Sequence, residues 1–129
     1  MHIKEGMRIK MKYTYNKLVR DKVMKNIQAK GHNAMYRVLN EEEYLEELDK
    51  KLLEEVNEFI EAHNEEEMAD VLEVIEANIN QRGMSIQKIN EIKEQKKQKN
   101  GGFDHKIFLI SVEEKDEVKE QENENQEER

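Results

Sequence analysis

Apolar residues recur at helical spacing through the middle of the chain. Leu45, Leu48, Leu52, Val56 and Phe59 form a stripe that Leu53 and Ile60 widen, which predicts a helix from about Asn40 to Ala62. Asn40 followed three residues on by Glu43 supplies an N-cap and a capping box for it. A second stripe of Met68, Val71, Leu72, Ile75 and Ile79 predicts a helix from about Glu65 to Gln81, ended by Gly83 and separated from the first by a turn at His63-Asn64. Upstream, Leu18, Val23 and Ile27 predict a helix over Tyr15 to Lys30 with Gly31 as terminator. Lys17 and Asp21, four residues apart, would pair on its face. Downstream, Ser85 precedes Ile86, Ile89 and Ile92 as an N-cap, although Lys88 stands where a capping box wants Glu or Gln. Gly101-Gly102 ends that helix. His32 to Leu39 reads as extended or a short strand, and Phe103 to Val112 as an apolar segment that packs back on the helices, extended or as a short helix. The expected fold class is all-α, a bundle of four to five helices.

Composition narrows the class. The 129 residues hold no Pro, Cys or Trp, 40% of them are charged and only 36% hydrophobic, so one domain with a thin core is expected. Such a core is commonly completed by a second subunit, so a homodimer or homotetramer is expected. The lack of Cys removes any disulfide framework or thiolate metal site. No long apolar run or cleavable leader pattern is present, so a cytoplasmic chain without membrane insertion is expected. Of the net charge of −8, residues 113–129 carry −6, nine acids against three bases, which leaves −2 for residues 1–112. This divides the chain into a basic N-terminal extension (1–12), a helical domain (13–112) and an acidic tail (113–129) expected to be disordered.

The two central stripes bring acids with them. Glu54, Glu55 and Glu58 lie on the first helix and Glu67 and Asp70 on the second. In an antiparallel hairpin, residues whose numbers share a sum lie at equal height, which pairs Glu55 with Asp70 and Glu58 with Glu67. Glu is abundant, and the pattern EExxE also occurs at Glu42-Glu43-Glu46 and Glu113-Glu114-Glu117, so the motif alone has little weight. Context separates the sets. The i, i+3, i+4 progression puts Glu55 in line with Leu45, Leu48, Leu52 and Phe59, where a carboxylate is costly unless a cation or hydrogen bonds compensate it. Facing carboxylates on rigid helices suit a hard divalent cation, Mg²⁺ above all, with Mn²⁺ able to serve as well.

Four blocks of the sequence, YNKLVRDK at 15–22, YRVLNEEEYLEELDKKLLEEVNEF at 36–59, EMADVLEVIEA at 67–77 and KKQKNGGFDHKIFL at 96–109, resemble the MazG-like all-α nucleoside triphosphate pyrophosphohydrolases, in the phosphoribosyl-ATP pyrophosphohydrolase-like branch. The resemblance implies that Glu55, Glu58, Glu67 and Asp70 ligate Mg²⁺. It makes Glu54 a candidate second-metal ligand or water-orienting base, and Lys17, Arg20, Lys22, Lys97 and Lys99 candidate phosphate contacts. It also implies hydrolysis of a nucleoside triphosphate between the α and β phosphates, giving monophosphate and pyrophosphate, as a house-cleaning activity on the nucleotide pool. Two features depart from the family pattern. Only Phe59 to Glu66 separate the acidic groups, where the superfamily has a longer insertion, and Val23-Met24 follows VRDK in place of a proline-containing start.

A different class of function, a non-catalytic helical oligomerisation module of the same fold, accounts for the stripes without the acids. Nucleic-acid binding through KLVRDK and KKQK is not expected of an acidic chain poor in aromatics. The four histidines have no metal-ligand spacing, and Tyr36 and Phe103 fit a core role at least as well as base stacking.

Overall fold

The computed structural model describes residues 10–116, and every regular element among them is a helix. These are α1 (Val23–Ala29), α2 (Glu41–Ala62), α3 (Glu65–Gln81) and α4 (Ile86–Asn100). The fold is all-α. The chain divides into two compact units, Met1–Met84 and Ser85–Arg129.

In the first unit, α2 and α3 form an antiparallel pair joined by two residues. Asn40 opens α2 as the sequence predicts: its side chain accepts the Glu43 N–H at 2.8 Å, while the Glu43 carboxylate accepts the Asn40 N–H. Arg37 clamps the same carboxylate with both terminal nitrogens, at 2.8 and 3.1 Å. The helix ends where His63 turns left-handed (φ 51°, ψ 46°) and donates its N–H to the Phe59 carbonyl at 2.7 Å. Its imidazole meets the Phe59 ring edge-on. Asn64 then caps α3, accepting the Glu67 N–H at 2.9 Å. At the far end Gly83 (φ 69°) permits a Schellman closure, with Gly83 N–H to the Asn80 carbonyl and Met84 N–H to the Ile79 carbonyl. Arg82 ties that end back to α2 by donating to Asp49 at 2.8 Å.

The core is thinner than the stripes promise. Leu48, Val71 and Val74 are buried, and of the predicted face Leu53 (63% exposed), Ile60, Met68, Leu72 (58%) and Ile75 stand open. A pair of helices has only one seam. Residues that widen a stripe beyond it find nothing to bury against within the pair.

The expected helix over Tyr15–Lys30 is corrected to Val23–Ala29, ended at Gly31 (φ 86°) by a Schellman pair of bonds from Gly31 and His32. Tyr15 to Lys22 are not helical. Asn16 is left-handed (φ 48°), and Lys17 and Arg20 reach acids far along the chain, so tertiary ion pairs replace the local Lys17–Asp21 pair. His32 to Leu39 are irregular, with no strand.

In the second unit, Ser85 caps α4 by accepting the Lys88 N–H at 3.1 Å, and Gly101 (φ 86°) ends it. Phe103 to Val112 form no helix, and Phe103, Ile107, Phe108 and Ile110 are exposed. Most of the N-terminal extension and of the acidic tail lies outside the described residues. Residues 10–12 and 113–116 have no regular structure.

Candidate metal centre

The α2–α3 hairpin brings the predicted acids together. Spacing of three and four residues sets Glu54, Glu55 and Glu58 on one side of α2, and spacing of three sets Glu67 and Asp70 on one side of α3. The two-residue turn fixes the heights. Glu55, Glu67 and Asp70 each offer a carboxylate oxygen within 4.8 Å of the others, and so do Glu54, Glu55 and Glu58. Glu55 belongs to both groups. It is therefore the hinge of the cluster, as its place in the leucine stripe requires.

Glu55 is 7% exposed, the one buried charged residue among those described. One of its oxygens lies 3.4 Å from Lys51 Nζ, while its Oε2 is buried with no hydrogen-bond partner. The Oε2 of Glu67 is buried and unpartnered in the same way. Buried polar atoms are paired in the large majority of cases, and leaving one unpaired costs about 1–3 kcal/mol. Two such oxygens on facing helices, in a donor set made only of oxygens, fit a hard divalent cation held by Glu55, Glu67 and Asp70, while the fourth expected ligand, Glu58, groups with Glu54 and Glu55. Glu67 gains some compensation from its place in the first turn of α3, where the helix N-terminus favours negative charge.

The carboxylates also push on one another. Repulsion from Glu55, with smaller effects from burial and from Glu54 and Glu67, raises the Glu58 carboxyl above its ordinary range. Glu54 goes the other way. Burial pushes its carboxyl up, but hydrogen bonds and charge from Lys17 and Lys51 outweigh this and hold it below the ordinary range. Lys17 Nζ donates to Glu54 Oε2 at 2.9 Å and Lys51 Nζ lies 3.4 Å from the same oxygen. In return the bond to Glu54 raises the Lys17 ammonium. A carboxylate held low is a weak proton acceptor, so Glu54 is better suited to orienting a water than to taking its proton.

Of the candidate phosphate contacts, the structure brings two to the acids. Lys17 meets Glu54, and Arg20 Nη2 donates to Asp70 Oδ1 at 2.7 Å. Lys22 is exposed beside the start of α1, and its side chain forms no ion pair among the described residues. Lys97 and Lys99 occupy the last turn of α4, in the second unit. Lys51 was not anticipated. Its signal was present in the sequence, since it stands four residues before Glu55 and three before Glu54 on one helix face.

Compared with protein-family models, curated proteins and solved structures, the chain matches none of them. The resemblance to pyrophosphohydrolases therefore rests on the four sequence blocks alone.

Proposed function

We propose that this chain is a Mg²⁺-dependent nucleotide pyrophosphohydrolase, splitting a nucleoside triphosphate or related nucleotide between the α and β phosphates into monophosphate and pyrophosphate, in the service of nucleotide-pool house-cleaning. The observation that carries this reading is the pair of buried, unpartnered oxygens of Glu55 and Glu67 inside an all-oxygen cluster. Glu55, Glu58, Glu67 and Asp70 would hold the cation, with Mn²⁺ an acceptable substitute. Bound there, it would neutralise phosphate charge and acidify a water.

The remaining roles fall to the chain's own side chains. Lys17 and Arg20, beside the acids, place positive charge where a polyphosphate would approach, Lys as a point charge and Arg as a fork. The same resemblance names Lys22, Lys97 and Lys99 as further candidate phosphate contacts. Glu54, held by Lys51 on its own helix, would orient the attacking water. The open apolar stripe of Leu53, Ile60 and Leu72 supports assembly into a homodimer or homotetramer. Among the described residues no helix is long and apolar enough to cross a membrane.

That stripe also favours a second reading, in which the chain is a helical oligomerisation module without catalysis. A panel of nucleoside triphosphates incubated with and without Mg²⁺ separates the two. The enzyme releases pyrophosphate only with Mg²⁺, and Asp70→Asn abolishes the release. A stable oligomer that hydrolyses none of the panel favours the module.

A further inference from the structure

The segment before α1 is tied to the acidic cluster by two ion pairs. Tyr15 to Lys22 run without helix, with Asn16 left-handed, and two side chains leave the segment for different helices. Lys17 reaches Glu54 on α2 and Arg20 reaches Asp70 on α3. The segment is a strap across the hairpin, pinned to one acid on each side. Among the described residues these two are the side-chain hydrogen bonds that the segment makes to the hairpin. Tyr15 and Val19 are exposed, Leu18 is half-buried, and both pinning cations are well exposed to water. Exposed ion pairs of this kind are weak and readily exchanged.

The charges are matched with some care. The cluster has five carboxylates, Glu54, Glu55, Glu58, Glu67 and Asp70, and three cations against them, Lys17, Arg20 and Lys51. Two negative charges are left over, the charge of one divalent ion, and the two orphaned oxygens of Glu55 and Glu67 mark where they are least compensated. Lys51 belongs to α2 and stays with it. Lys17 and Arg20 arrive on the strap and can leave with it.

We propose that the strap is a built-in counter-ion for the metal site, which a divalent cation displaces, so that loading of the site frees Lys17 and Arg20 to meet a phosphate ligand. This rests on the metal site proposed above. The physical basis is competition. A divalent ion draws on Asp70 and the neighbouring carboxylates at short range, and each exposed pair the strap offers in return is worth far less than a metal–carboxylate contact. The coupling is reciprocal, so removing the strap cations must tighten metal binding.

Trypsin reads the strap directly, because Lys17 and Arg20 must leave their acids to enter the protease pocket. The experiment follows cleavage after Lys17 and after Arg20 in the full chain by mass spectrometry with and without Mg²⁺, with cleavage after Lys30 as the internal control. In parallel, Mg²⁺ binding is measured by calorimetry on the wild type and on Lys17→Gln/Arg20→Gln, whose replaced side chains are exposed. Displacement predicts faster cleavage at both sites with Mg²⁺ and an unchanged control. It also predicts about two- to fivefold tighter binding for each cation removed, the range expected for exchange of an exposed ion pair. Binding of Mg²⁺ only to the double variant would show that the cation does not displace Lys17 and Arg20, and would overturn displacement. Tight binding to the wild type with unchanged or slower cleavage would overturn the strap and leave the metal site standing. Absence of binding to both proteins would overturn the metal site and the strap together.

Discussion

Glu55→Gln should make the metal-free protein more stable and the metal-treated protein less responsive. Glu55 shares the cluster with Glu54, Glu58, Glu67 and Asp70, each offering an oxygen no farther than 4.8 Å from one of its own. Even at the dielectric constant of bulk water a like-charge pair at that distance costs about 0.9 kcal/mol. The nearest attraction in return, to Lys51 at 3.4 Å, is worth about 1.2 kcal/mol on the same scale, and Lys17 adds a weaker one. Four repulsions against these attractions leave the side chain's charge unfavourable by about 1 kcal/mol at low ionic strength. Glutamine keeps the shape and removes that charge. At about 4 °C per kcal/mol, between the values for smaller and larger domains, the melting temperature in chelator should rise by about 4 °C. With Mg²⁺ at about a hundred times its dissociation constant, the wild type should gain about 2.7 kcal/mol and the variant little or nothing. The order of the two melting curves should thus invert between chelator and Mg²⁺, which differential scanning fluorimetry can follow. A variant that melts below the wild type in chelator, yet gains the same increment with Mg²⁺, would refute the assignment of Glu55 to a cation.

Asn64→Ala removes the cap of α3 and should destabilise the chain by about 1 kcal/mol in urea unfolding. It should also weaken Mg²⁺ binding, since Glu67 donates its N–H to that cap, and an unchanged affinity would show that the turn does not position Glu67. Glu43 is held below the ordinary carboxylate range, first by its hydrogen bond to Arg37 and then by the Asn40 N–H. Because its folded value is depressed, its stabilising contribution is present above the ordinary carboxylate range and is lost as pH falls through the lowered value. Arg37→Gln should therefore flatten the acid limb of a stability–pH curve, and a limb of unchanged steepness would deny the pair any part in acid unfolding. Leu72→Glu, on the open stripe, should convert an oligomer to a smaller species in sedimentation velocity, and an unaltered sedimentation coefficient would place the subunit contact elsewhere.

The parts of the fold legible in the sequence are those decided locally. Asn40 and Glu43 announce the start of α2, Gly83 the end of α3, and helical spacing alone sets five acids on facing sides of a short hairpin. The strap was not legible. Leu18, Val23 and Ile27 keep helical spacing, but Lys17 and Arg20 find partners 37 and 50 residues away, and a local pattern has no access to such pairs. The width of the stripes misled for a related reason. Periodicity reports which residues share a face, whereas burial depends on what lies opposite, and α2 and α3 cover only their common seam at Leu48, Val71 and Val74. Val74 falls between the predicted positions Leu72 and Ile75 because the seam is narrower than the apolar face and its centre is set by the neighbouring helix.

The most direct test of a carboxylate site that directs hydrolysis is to follow the phosphorus products of a nucleoside triphosphate by ³¹P NMR in the presence of Mg²⁺. The wild type should give nucleoside monophosphate and pyrophosphate in equal amounts, with neither formed in chelator or by Asp70→Asn. Nucleoside diphosphate and orthophosphate as the products, or pyrophosphate formed equally well by Asp70→Asn, would contradict it.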